Sequence, residues 1–142
     1  MMEFRGKNIL IAGGSSGIGL SLVHLLCSSG ASVYNVSRSA GDWGEEVHHL
    51  SYDVTGDTEL SPSFLPEKLH GLVYCVGSIT LKPFGRLTKN DFLKDYQLNV
   101  IGAVGIIQQS LKQLKYAEGA SVVLISSVAA QAGMAFHASV TS

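Results

Sequence analysis

Seven residues near the start of the chain, Gly13-Gly14-Ser15-Ser16-Gly17-Ile18-Gly19, have the types and spacing to hold a phosphate. They follow the aliphatic run Ile9-Leu10-Ile11-Ala12 and lead into Leu22, Leu25 and Leu26, which recur at helical spacing with Ile18. Glycines at 13, 17 and 19 allow a tight turn and a close backbone approach to a pyrophosphate, and the helix start offers free N–H groups to the anion. Strand, glycine turn and helix in that order is the context in which such a loop cradles a dinucleotide, with Ser15, Ser16 and Ile18 completing it. At the end of the next aliphatic run stands Val36-Ser37-Arg38-Ser39. An NAD site asks for a carboxylate there to bind the ribose 2′-hydroxyl, whereas Arg38 beside Ser37 suits a 2′-phosphate, so NADP(H) is expected over NAD(H). A methyltransferase using S-adenosylmethionine would also want an acid at that point.

These residues need a sheet to position them. Four runs, Ile9 to Ala12, Val33 to Val36, Leu72 to Val76 and Val122 to Ile125, read as strands buried on both faces of a parallel sheet. Val47 to Tyr52, carrying His48 and His49, reads as a strand nearer the edge. Gly30 falls where the first helix should stop in the left-handed conformation. From Thr88 to Gly119 the apolar spacing predicts one long or two abutting helices, with Gly102 and Gly105 as interruptions. The stretch from Thr55 to Pro66 reads as a loop with at most a short helix. Alternating strands and helices predict a Rossmann-like doubly wound parallel sheet in three α/β/α layers, one dinucleotide-binding domain over residues 1–142.

Composition narrows the function classes. With 46% hydrophobic and 15% charged residues, a net charge of −1 and a mean hydropathy of +0.26, the chain is neither disordered nor a basic nucleic-acid binder. No apolar run approaches the roughly 18 residues of a membrane span, so a soluble cytoplasmic protein is expected. Cys27 and Cys75 lack ligand spacing and read as reduced, buried thiols. The histidines are scattered, and His48 and His49 would point to opposite faces of a strand, so no metal is expected.

The segment Ala12 to Gly19 resembles the TGxxxGIG loop of the short-chain dehydrogenase/reductase family. Further matches follow in order: Asp53-Val54, Gly77, Leu98-Asn99-Val100 and Ile125-Ser126-Ser127. The resemblance implies an adenine contact at Asp53 and Val54, a strand end at Gly77, and a catalytic Asn99 and Ser127. Ser127 would hold the substrate oxygen and Asn99 a water of the proton relay. It also implies hydride transfer to or from a ketone or alcohol, such as an oxoacyl substrate. Three positions depart from the family: Ala12 replaces its Thr, Tyr74-Cys75-Val76 replaces Asn-Asn-Ala, and its Tyr position falls on Val140 with its Lys position past Ser142. On this reading the chain is an incomplete domain, truncated after the fifth strand. The alternatives are a non-catalytic dinucleotide-binding member acting as a sensor or partner module, and an inactive fragment. His137 is a candidate substitute acid. The strand at 121–125 would be an exposed edge, the long helix from Asn99 would lack its neighbours, and a homo-oligomer is expected.

Overall fold

The first strand shows how the sequence divides the core. In β1 (Asn8–Ala12), Ile9 and Ile11 face one side of the sheet and Leu10 and Ala12 the other, as the two-residue period of a strand requires. The computed structural model describes residues 3–78, 80–127, 129–132, 135, 136 and 138–141. Around β1 stand β2 (Ser32–Ser37), β3 (His48–Ser51), β4 (Gly71–Tyr74) and β5 (Ser121–Leu124), in the all-parallel order β3-β2-β1-β4-β5. This is the Rossmann-like arrangement expected from the sequence, with the order reversing between β1 and β4.

Helices cover both faces. Val23 and Leu26 of α1 (Gly17–Ser28) pack with Ile9, Ile11, Val33 and Val47. Ala103, Ile106 and Leu114 of α3 (Gly102–Tyr116) pack with Leu10, Ala12, Leu72 and Tyr74 on the opposite face. Burying each Leu, Ile or Val in this way contributes about 1.5–3 kcal/mol, which is what holds the layers together. Helix α1 ends as expected at Gly30, at φ +90°, where the Ala31 N–H reaches Leu26 O at 3.0 Å and the Gly30 N–H reaches Cys27 O at 3.1 Å.

Helix α2 (Lys89–Tyr96) runs into α3 through a π-helical turn at Gln97–Ile101, so the stretch from Thr88 is continuous with one widened turn just before Gly102. Its start is a reciprocal cap: the Asp91 N–H donates to Thr88 Oγ1 (3.2 Å) and the Thr88 N–H to Asp91 Oδ2 (2.9 Å). Two short helices, α4 (Ala129–Ala132) and α5 (Ala138–Thr141), follow β5, and α5 packs on α2.

Strand β5 departs from the expectation of burial on both faces. It pairs with β4 alone among the described residues and leaves Val122, Val123 and Leu124 44%, 46% and 57% exposed, as an edge strand without a covering layer must. His48 and His49 do diverge: His48 stacks on Tyr34 at 4.4 Å, and His49 lies 5.7 Å from Trp43 on the other face. Cys27 and Cys75 are half-buried free thiols, and burial pushes both above the ordinary thiol pKa.

Candidate functional site

Residues meet at the switch point because β1 and β4 end side by side. The Gly13 N–H extends β1 onto Val36 O at 2.9 Å, and the Cys75 N–H does the same onto Ala12 O at 2.8 Å. Gly13 then turns at φ +90°, and a Cβ there would stand 2.9 Å from Val76 N, so no larger residue fits. Gly19 lies under the same turn, where a Cβ would meet Gly13 O at 2.0 Å. Helix α1 opens at Gly17 with no side-chain cap from Ser16 and no acidic residue in its first turn. Its leading N–H groups and positive dipole end therefore carry no competing side chain and could receive an anion. Around Gly17 the space is open, and Ile18 is 67% exposed.

The second part of the site lies at the ends of β2 and β3. Ser37 Oγ donates to Ser39 O (2.7 Å) and Ser51 Oγ to Arg38 O (3.0 Å), which fixes the backbone on both sides of the exposed Arg38. Asp53 Oδ1 accepts from Thr55 Oγ1 (2.6 Å) and the Thr55 N–H (2.9 Å). Those bonds, and then the Arg38 guanidinium, hold its carboxyl below the ordinary carboxylate pKa.

The third part is built by the π-turn. Tyr74 Oη donates to Leu98 O at 2.5 Å, and Asn99 Oδ1 lies 3.0 Å from where a Gly77 Cβ would project. Asn99 is thereby set against the end of β4. Tyr74 pairs in register with Leu124, so Gly77 and Ser127 are each the third residue beyond one cross-strand pair, at the same end of the sheet. Ser127 is exposed.

A cleft of about 690 Å³ joins these parts. It is lined by Gly13, Ser15, Ser16, Ser37, Arg38, Asp53, Val54 and Gly77; Gly17, Ile18, Gly19, Asn99 and Ser127 are not part of its wall. Its far side, which the sequence reading did not anticipate, is Asn90 and Lys94, at i and i+4 on α2, with Gln97 at the start of the π-helical turn. Charged lining side chains among the described residues are Arg38, Lys94 and Asp53, a balance that favours an anionic ligand. His137 and the side chain of Val140 lie outside the described residues. Among the described residues no helix is long and apolar enough to cross a membrane.

Residues 7–140 match the family described as short chain dehydrogenase. The chain belongs to the short-chain dehydrogenase family. Its relatives in this family include 2,3-dihydro-2,3-dihydroxybenzoate dehydrogenase of Escherichia coli, 27% identical over 135 residues, 91% of this chain and 54% of the relative. L-rhamnose 1-dehydrogenase (NADP(+)) of Thermoplasma acidophilum is 28% identical over 155 residues, covering 96% of this chain and 61% of that one. A solved short chain dehydrogenase/reductase family protein superposes with a TM-score of 0.89 at 24% identity, over 99% of this chain and 63% of the other. The chain thus spans little more than half the length of the relatives it matches.

Proposed function

We propose that this chain is the dinucleotide-binding part of an oxidoreductase that transfers hydride between NADP(H) and a ketone or alcohol, such as an oxoacyl compound. The observation that carries the reading is the cleft itself. An uncapped helix start lies at one end, and Arg38 with Ser37 lies at the other, where β2 ends without a carboxylate. The residues fit a dinucleotide: Gly13, Ser15, Ser16, Gly17, Ile18 and Gly19 would hold the pyrophosphate, Ser37 and Arg38 the 2′-phosphate, and Asp53 and Val54 the adenine. Gly77, in the cleft wall, would lie beside the nicotinamide end. An NADP(+)-dependent relative supports the choice of NADP(H).

The cofactor supplies the hydride when bound. Ser127 would donate its hydroxyl hydrogen to the substrate oxygen as charge develops there, and Asn99 would hold the water through which a proton reaches that oxygen. The exposed stripe Leu93, Tyr96, Val100, Val104 and Leu111 along α2 and α3 supports a homo-oligomer through this helix pair.

A second reading, dinucleotide binding without catalysis, is favoured by Val140, which has no proton to give where the family has its Tyr. One assay separates the two. The chain is incubated with NADPH and a panel of ketones, and loss of the reduced-nicotinamide absorbance is followed. Turnover that Ser127→Ala abolishes supports the oxidoreductase; saturable NADPH binding with no turnover supports the second reading; and no binding refutes both.

A further inference from the structure

We infer that Asn35 is the positioning residue of the nucleotide site, a single buried amide that sets both the glycine loop and the strand end bearing Arg38. The inference rests on the dinucleotide reading above and adds to it a residue that lines no part of the cleft. Asn35 sits in the middle of β2, between β1 and β3, and is 0% exposed. A polar side chain inside a sheet core is costly unless each of its polar atoms finds a hydrogen-bond partner. Here each does. Oδ1 accepts from the Gly14 N–H at 2.8 Å, and because a backbone N–H can only donate, this bond fixes which way the amide points. The two Nδ2 hydrogens then face Ser37 Oγ (2.8 Å) and His49 Nδ1 (3.1 Å). Ser37, having accepted from Asn35, donates its own hydrogen to Ser39 O at 2.7 Å.

The result is one chain of bonds from Gly14, inside the phosphate loop, through Asn35 and Ser37 to Ser39. Its ends are the two segments that must stand a fixed distance apart to hold a pyrophosphate and a 2′-phosphate together. The loop rests directly on the amide: a Cβ at Gly14 would stand 2.4 Å from Asn35 Oδ1 and 2.8 Å from Val23 Cγ2. Gly14 therefore turns its N–H inward to hold the loop in place. An apolar side chain at 35 would leave that N–H without its acceptor and would free Ser37 Oγ from its donor, so both halves of the site would relax at once.

The test titrates the full chain with NADPH and with NADH by calorimetry and follows amide hydrogen exchange by NMR in the unliganded protein. Asn35→Leu, close to isosteric, is expected to weaken both nucleotides by about tenfold or more, to narrow the NADPH preference, and to speed exchange at Gly14 while Val33 and Val36 stay protected. A merely structural residue would lower stability without moving the preference. Wild-type affinities and preference in a folded Asn35→Leu chain would overturn the inference. If Asn35→Leu does not fold, the wild-type Gly14 amide decides: protection there supports the inference, and exchange as fast as an open loop overturns it. If the wild type binds neither nucleotide, the dinucleotide reading fails, and Gly14 exchange alone decides whether Asn35 holds the loop.

Discussion

The hydroxyl of Tyr74 donates to the carbonyl of Leu98 at 2.5 Å, joining the end of β4 to the widened turn that carries Asn99. A π-turn leaves carbonyls without their usual i+4 partner, and such turns recur at functional sites for that reason. Tyr74 is 3% exposed, and burial pushes its phenol pKa well above the ordinary value, so it remains a donor across any physiological pH. Gly102 lies against the same hydroxyl, where a Cβ would be 2.4 Å away. Tyr74→Phe should therefore lower the unfolding free energy by about 1–3 kcal/mol, since the half-buried carbonyl loses its partner. The check is a shift in urea midpoint with an unchanged slope.

Helix α2 supplies the outer wall of the cleft, and its start depends on Thr88. Thr88→Ala removes the hydroxyl that accepts the Asp91 N–H and should cost about 1 kcal/mol in chemical denaturation. Asp91 itself is held below the ordinary carboxylate pKa of 3.8, first by the Thr88 N–H and further by Lys82, 3.2 Å away. A carboxyl with a depressed folded pKa contributes stability above its unfolded value, and that contribution is lost as pH falls through the folded value. Carboxyl NMR titration should accordingly show Asp91 changing below 3.8, and Asp91→Asn should flatten the loss of melting temperature on the acid side.

His70 gives a second acid limb at milder pH. Its Nδ1 accepts the Asn8 N–H at 3.0 Å, and its backbone joins β1 to β5 through His70 N–H to Asn8 O (2.8 Å) and Ser121 N–H to His70 O (3.1 Å). Desolvation first, then Lys7 and Lys68, hold the ring pKa below its ordinary 6.5. Below that value the unfolded chain binds more protons than the folded one, so stability present above 6.5 declines as pH falls toward the folded pKa. Melting curves across this range should show the decline in the wild type and less of it in His70→Gln, whose side chain does not titrate.

What the sequence made legible was local. The aliphatic runs gave β1, β2 and β4, the glycine spacing gave the loop, and Gly30 marked the end of α1, because each depends on a few neighbouring residues. Even β3, despite His48 and His49, read as an edge strand, which it is. The features that escaped are set by distant partners. Asn35 reads only as a polar interruption in an apolar strand until Gly14, 21 residues away, is seen to need it. Tyr74 reads as a core aromatic until Leu98, 24 residues on, appears against its hydroxyl. The exposure of β5 was legible from the expected strand order but not from its own residues, whose apolar run by itself argues for burial.

Arg38 is exposed and shapes the cleft at the end of β2, so replacing it should change specificity rather than stability. Arg38→Ala is expected to leave the melting temperature within about a degree or two of wild type, in line with a surface substitution of less than about 0.5 kcal/mol. It should lower NADPH affinity while sparing NADH.

The most direct measurement is the titration of the wild-type chain with NADPH and NADH, by calorimetry or by the fluorescence of Trp43, its one tryptophan. The account predicts saturable binding of both, with NADPH tighter by about tenfold or more, the scale of a charge-assisted contact to Arg38. Equal affinities, a preference for NADH, or no binding of either nucleotide would contradict it.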